Sequence, residues 1–567
     1  MSRIFRFATM GIGSMRSSKS DGRPAPLWLA LAGVLASAAM FVAAFPPARL
    51  RPLAWVALAP LLVALRRSPL GRAVALAGIW GMTAAYGVTD WLPPAIANYY
   101  HQPLWMGYGL FLTAALAMGA ADYMAFGACY WLLARRGRRP LAPLAAAAWV
   151  AAELGRSRIL GGNPWGLLGY TQAGAGSWGD PTSFLHRGSL AVAQVADLAG
   201  VYGVSFVLVA ANAALAELWL VAVRASRSWS VARAELAAAA ALTLAAFGYG
   251  SVRLATVTGL EQGRGATRAV PIAIIQGNLD LGSRWSPDFY GRNLDIYLRL
   301  TRESARQGAP QLVFWPESAM TFFVDREPVY RRAIARVLKP LGAQLVAGAP
   351  RYEAGSPPVY FNSAFLLSPA GSVLAHYDKQ HLLPFAEYFP LAGASLLKRS
   401  FGRVRQFTPG RPSGPLPTRA GAAGVVICNE AMFPRIVRRR VLEGAGFLVN
   451  LANDSWIPSR EFAEHQFDTI SMRAIEFRRY LVRASTSGPS AVVTPSGRVQ
   501  ARTEPLTRTY LRGRIRTLAG WTVYARFGDA FAWLCLVAAA AGALLPPGSS
   551  RPLRAVAGWL LEQARRA

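Results

Sequence analysis

Apolar runs rich in Ala, Leu and Val, broken by short basic segments, fill the first 250 residues. A helix crossing the hydrocarbon core needs about 20 mostly apolar residues. The pattern predicts spans near 27–45, 53–65, 73–92, 105–133, 141–154, 198–223 and 234–250, with an eighth near 528–546. Two are short: Arg51 and Arg66 bound the second, and the Ala-rich fifth ends at Glu153. Asp122 lies within the fourth. A carboxylate at that depth is a functional candidate, and a polar contact between helices is the plain alternative.

Between about 268 and 520 the period changes. Short β-rich runs alternate with amphipathic stretches, which predicts layered α/β structure with buried strands. Strands are expected at 269–278, 311–317, 344–350, 424–430 and 447–454, and helices at 287–307, 328–341, 434–443 and 461–479. NSAFLLSP and SVLAHYDK, joined through Ala370 and Gly371, predict a hairpin. Two strands follow the last helix, the second entering a turn at Pro495, Ser496 and Gly497.

Charge orients this plan. With the N-terminus in the cytoplasm, nineteen Lys and Arg fall in inside segments and five in the outside loops before the α/β region. Basic residues favour the cytoplasmic side, so eight spans with both termini inside are expected, and residues 268–520 lie outside the cytoplasm. The organisation is then a basic cytoplasmic segment over 1–26, a bundle of about seven helices over 27–252, the α/β domain over 268–520, a closing helix over 528–546 and a basic cytoplasmic tail over 547–567. The first span read as a cleaved signal peptide is the alternative.

Of the 567 residues 53% are hydrophobic and only 16% charged, which excludes a single soluble domain and a disordered chain. The net charge of +32 raises nucleic-acid binding, but the basic residues cluster between apolar runs and form no stripe with interleaved aromatics. The α/β region is itself basic, with 34 Lys and Arg against 18 Asp and Glu. That charge suits either a solvated surface or anionic headgroups. Cys129, Cys428 and Cys535 show neither metal spacing nor a disulfide framework, so no metal is expected.

Three expected strands end in reactive groups: Glu317 after FWP, Lys379 after HYD and Cys428 within VVICNE. A carboxylate in reach of a thiol can serve as its base. An ammonium can lower the thiol pKa and hold an oxyanion, with the Asn429 N–H as a second donor. The plain alternative is a buried cysteine, a surface lysine and a strand-end glutamate that never meet.

FWPES, YDKQHLLPFAEYFP, VVICNE and LVNLANDSW, in this order, resemble the nitrilase superfamily of carbon–nitrogen hydrolases. The closer likeness is to its membrane-bound branch, the apolipoprotein N-acyltransferases, and LGGNPWGLLGYTQ (160–172) is similar to a loop of that branch. The resemblance covers about 27–546. It implies a polytopic α-helical bundle with an αββα sandwich. It implies Glu317 as general base, Lys379 as triad lysine and Cys428 as nucleophile. Glu387 would position the lysine and substrate, Glu430 would be a supporting carboxylate, and Trp285 and Trp456 would be aromatics on loops over the site, where ordinary packing is their alternative role. Two positions depart from the pattern: Asn429 stands where the branch usually has Tyr, and Ile457-Pro458 where it has Phe-Gly.

The implied reaction moves an acyl chain from a membrane phospholipid, through a cysteine thioester, to the α-amine of a diacylated apolipoprotein. It needs no cofactor and takes place at the outer side of a bacterial inner membrane. A membrane-tethered amidase or nitrilase, and a silent lipoprotein-binding protein, are the competing readings.

Overall fold

A computed structural model describes residues 25–137, 140–173, 184–223, 229–263, 268–279, 290–389 and 406–545. Trp285, the basic segment before residue 25 and the tail from 546 lie outside them.

The membrane half is helical. Among the described residues three helices are long and apolar enough to cross a bilayer: Leu104–Arg135, Ala196–Ala222 and Trp229–Glu261. Leu27–Ala43 and Ala530–Leu544 are apolar but shorter. The fourth expected span is confirmed as one helical run, with a π-turn at Leu116–Ala120. Asp122 follows that turn and faces Gly155, where a side chain's Cβ would lie 2.7 Å from Asp122 Oδ1.

The second expected span is not one helix. A 3₁₀ turn, Arg51–Trp55, is separated from the helix Ala59–Arg66. The break is held by Asn212 of the neighbouring helix, whose Oδ1 accepts from the Leu58 and Ala59 N–H groups at 2.7 and 3.2 Å. Its Nδ2 donates to the Ala54 carbonyl at 2.9 Å. Irregular backbone at this depth requires such a partner. Two short helices were not anticipated, Leu92–Tyr100 and Phe184–Ala193.

Among the described residues twelve strands build the α/β domain: β1 Val270–Gln276, β2 Leu312–Phe314, β3 Gln344–Glu353, β4 Val359–Leu367, β5 Val373–Asp378, β6 Leu416–Thr418, β7 Gly421–Ile427, β8 Phe447–Ala452, β9 Leu481–Ser485, β10 Ala491–Val493, β11 Val499–Arg502 and β12 Thr509–Ile515. They form two six-stranded sheets, ordered β12-β1-β2-β3-β4-β5 and β11-β10-β9-β8-β7-β6. Ile272, Phe314 and Val346 of the first meet Val425, Leu451 and Val482 of the second in a shared apolar layer. The helices Tyr290–Ser304 and Pro328–Leu341 cover the outer face of the first sheet. On the second, the helices Pro434–Leu442 and Arg460–Phe477 share one core with the membrane bundle. This is an αββα sandwich whose second helix layer is sealed against the bundle.

Several expected boundaries move. Strand β2 stops at Phe314 rather than 317, because Pro316 has no N–H to continue the ladder. Strand β7 stops at Ile427 rather than 430, and Cys428 opens a 3₁₀ turn with φ of 51°. The helix expected at 461–479 is Arg460–Phe477, closed by Arg478 in the left-handed region. Strands β6, β11 and β12 were not foreseen; β12 pairs along the whole of β1.

Candidate active site

Topology brings the reactive groups to one edge. Strands β1, β2 and β3 are parallel, and two antiparallel steps through β4 return β5 to their direction. Glu317 after β2 and Lys379 after β5 therefore leave the same edge of the first sheet. Cys428 leaves β7 and Asn453 follows β8, its parallel neighbour in the facing sheet. The four groups meet between the sheets.

Lys379 Nζ lies 2.8 Å from Glu387 Oε2 and 3.7 Å from Glu317 Oε1. Asn362 Nδ2 bridges the two acids, donating to Glu317 Oε1 and Glu387 Oε1 at 2.7 Å each. The Asn453 N–H donates to Glu317 Oε2 at 2.8 Å, and the Leu383 N–H donates to Glu387 Oε2 at 2.8 Å. The Cys428 thiol lies close enough to Glu317 for each to shift the other's protonation. Lys379 and Cys428 are only 2% and 6% exposed, so these charges interact with little screening.

Glu430 ties the lysine loop to the nucleophile turn. It accepts from the Gln380, His381 and Ile427 N–H groups at 2.7, 3.0 and 2.7 Å, and from the Tyr377 hydroxyl at 3.0 Å. The bond to Ile427 ends β7 and turns Cys428 out of the ladder. Gly348 permits the close approach of β3, since a Cβ there would lie 2.6 Å from Glu317 Cα.

Burial raises the Glu317 carboxyl above its ordinary range, with Lys379 opposing. Burial also pushes the Cys428 thiol well up, the Glu317 charge adds to it, and Lys379 opposes without reversing it. Lys379 acts in the expected direction, lowering the thiol pKa, and burial outweighs it. For Lys379 itself burial disfavours the charge, but Glu387 and Glu317 outweigh it and raise its pKa. Burial thus favours the protonated thiol, while the two acids favour the charged lysine. His381, at about 4 through burial and the nearby Arg435 and Lys379, is neutral at pH 7.

Asn429 is buried, and its Oδ1 has no hydrogen-bond partner among the described residues. Trp456 is half-buried, its ring 6.1 Å from both Tyr99 of the membrane half and Phe462. Asn362 and Asn453 were not anticipated. Asn362 sits inside a strand word, YFNSAF, with nothing to distinguish it; Asn453 lay within LAND and acts through its backbone. Among the described residues no cluster of His, Cys, Asp or Glu suits a metal ion.

The membrane half grips this domain at the helix Arg460–Phe477. Arg49 donates to Glu464 at 2.7 Å and to Asp468 at 3.1 and 3.2 Å. The Trp165 ring of the 160–172 loop stacks on His465 at 4.3 Å and Phe462 at 5.6 Å. Arg473 donates to the Tyr170 hydroxyl at 2.9 Å. Arg478, just past the helix, pairs with Asp197 at 2.7 Å.

Residues 37–214 match the apolipoprotein N-acyltransferase N-terminal domain, and residues 272–520 match the carbon-nitrogen hydrolase family. An apolipoprotein N-acyltransferase of Geobacter metallireducens is 34% identical over 516 residues, covering 90% of this chain and 94% of its own length. Relatives of the same name from Azotobacter vinelandii and Gloeobacter violaceus are 30% and 32% identical, covering 88% of this chain and 92% and 91% of theirs. Among solved structures, an amidase from Nesterenkonia sp. is similar at 20% identity and a TM-score of 0.32, over 44% of this chain and 92% of that one. With a relative above 30% identity along nine-tenths of its length, and both halves matched in order, this chain belongs to the apolipoprotein N-acyltransferase family.

Proposed function

We propose that the protein transfers a fatty acyl chain from a membrane phospholipid to the α-amine of the lipid-modified N-terminal cysteine of an apolipoprotein, through a thioester on Cys428. The observation that carries this is the joint burial of Cys428, Glu317 and the Lys379–Glu387 pair at one sheet edge. Glu317 takes the thiol proton as sulfur attacks the acyl ester carbonyl. Lys379 and the Asn429 N–H hold the oxyanion. On collapse the lysophospholipid oxygen leaves with the proton returned from Glu317, and the acyl chain stays on sulfur. The acceptor amine then attacks the thioester, losing its proton to Glu317, and the cysteine departs as the thiol. Glu387 and Asn362 keep the lysine charged and placed; Glu430 keeps the two loops in register. A water-poor site favours the amine over hydrolysis.

In this reading eight helices span the inner membrane and the α/β domain lies on its outer side, so that both lipid substrates reach the site from one leaflet. Enzyme purified without acceptor is expected to carry one fatty acyl group on Cys428, released by neutral hydroxylamine and seen by intact-mass spectrometry. An acyl-enzyme discharged to water but never to a lipopeptide amine would overturn the transferase in favour of the hydrolase. No acyl group at all would sink the covalent route.

A further inference from the structure

Arg483 is fully buried in the middle of β9, where a core needs no charge. Its register partner in β8 is Asn450, and the partner of Asn450 in β7 is Val426. The three form a row across the sheet that ends two residues before Cys428. Arg483 Nη1 donates to Asn450 Oδ1 at 2.5 Å, and Asn450 Nδ2 donates to the carbonyls of Cys428 at 3.2 Å and Val426 at 3.3 Å. The other arm of the guanidinium, Nη2, donates to Asp454 Oδ2 and Gln466 Oε1 at 2.6 Å each. Asp454 also accepts from Ser485 Oγ at 2.6 Å, and it directly follows Asn453, whose N–H supports Glu317. Nε completes the set at the Pro489 carbonyl, 3.2 Å away.

We infer that Arg483 is a positioning residue for the acyl-transfer site, fixing the nucleophile turn through Asn450 and the base through Asp454. The inference rests on Cys428 and Glu317 acting as proposed above. Apolar residues of similar volume fill a core as well as a buried ion pair or better; a charge that divides its donors between the two reacting groups does what they cannot. Cys428 sits at a φ of 51° that a residue with a side chain rarely adopts, so its turn needs external restraint. Gln466 lies on the helix that Arg49 grips from the membrane half, so the same guanidinium links bundle placement to the reacting atoms.

The test is single-turnover acylation of the full-length enzyme by phospholipid in nanodiscs, followed by intact mass, with melting temperature recorded for each variant. Asn450→Asp keeps an acceptor for Arg483 and removes the donor to the Cys428 carbonyl. It is expected to acylate about 10- to 100-fold more slowly, the loss that a misplacement near 1 Å produces, with an unchanged dependence on donor concentration. Asp454→Asn is expected to slow acylation likewise, with an unchanged dependence on donor concentration, because the segment that presents the Asn453 N–H to Glu317 loses its charged anchor on Arg483. Asn450 and Asp454 each act through Arg483, so the double variant should lose less than the product of the two single losses. Should Asn450→Asp fail to fold, Asn450→Ala carries the same expected loss. Wild-type acylation rates in folded variants, a loss confined to donor affinity, or independent multiplication of the two losses would overturn the positioning role. Absence of a thioester on the wild-type enzyme would instead refute the nucleophile itself.

Discussion

At the scale of single residues the chemistry turns on where one proton sits. Both the Glu317 carboxyl and the Cys428 thiol are raised by burial, so the thiol holds its proton until attack. Protonated Glu317 cannot accept it. The acylation rate should therefore fall as pH drops, starting above the ordinary glutamate value of about 4.3, and Glu317→Gln should abolish both the rate and this limb. A limb centred at or below the ordinary value would contradict the buried-base assignment. Cys428→Ala should leave no acyl transfer, whereas Cys129→Ala and Cys535→Ala, in bundle helices, should retain it, as lipopeptide acylation would report. Asn429→Tyr should shift donor preference among headgroups while still forming the thioester. Glu317, Lys379 and Cys428 were legible because each stands in a distinctive word at a strand end. Asn362 was not, since one amide inside an apolar run carries no local signature. Nor was the direction of the thiol shift, which depends on a burial that only the fold creates.

At the scale of elements, strand ends matter more than strand interiors. Alternation and apolar runs located nine of the twelve described strands of the α/β domain and its helices at 290–304, 328–341, 434–442 and 460–477, the second of these to the residue. Two of the misplaced ends, at 317 and 430, carry the proposed base and nucleophile. There Pro316 and the Glu430–Ile427 bond stop the ladder, and the second of these is a side-chain bond within one turn that hydrophobic periodicity does not show. Strand β12 carries three polar residues and a glycine in seven, so its pairing with β1 had no hydrophobic signal. Gly348 is where such an end depends on close backbone approach. Its Cβ would meet Glu317 Cα at 2.6 Å, Ser318 N at 2.7 Å and Pro316 O at 2.8 Å. These are backbone atoms that cannot swing aside, so Gly348→Ala should displace Glu317 and slow acylation by about 100-fold in single-turnover assays. A folded Gly348→Ala enzyme at the wild-type rate would show that the base tolerates the shift.

For the whole molecule, bundle and catalytic domain fold as one body with a shared core, and buried ion pairs fasten them. Arg49 stands in the loop after the first helix and neutralises Glu464 and Asp468, 415 and 419 residues away. Removing one partner of a buried pair typically costs about 3–5 kcal/mol. Arg49→Met should therefore lower the melting temperature in detergent, and Arg49→Met with Asp468→Leu should recover part of the loss. The clamp also bears on topology, because Arg49 and the α/β domain must lie on the same side of the membrane. The loop charges assign that side independently: nineteen basic residues in the proposed inside segments against five in the outside loops. A reporter fused near residue 420 should behave as extracytoplasmic, and one at the C-terminus, beyond Ala530–Leu544, as cytoplasmic. The Arg49 contact sharpens this test, since a cysteine placed at Pro47 should label from the same side as one at Arg419, an exposed position of the domain. Labelling from opposite sides would break both the span count and the clamp; labelling of both from the cytoplasm would keep the clamp and invert the proposed orientation.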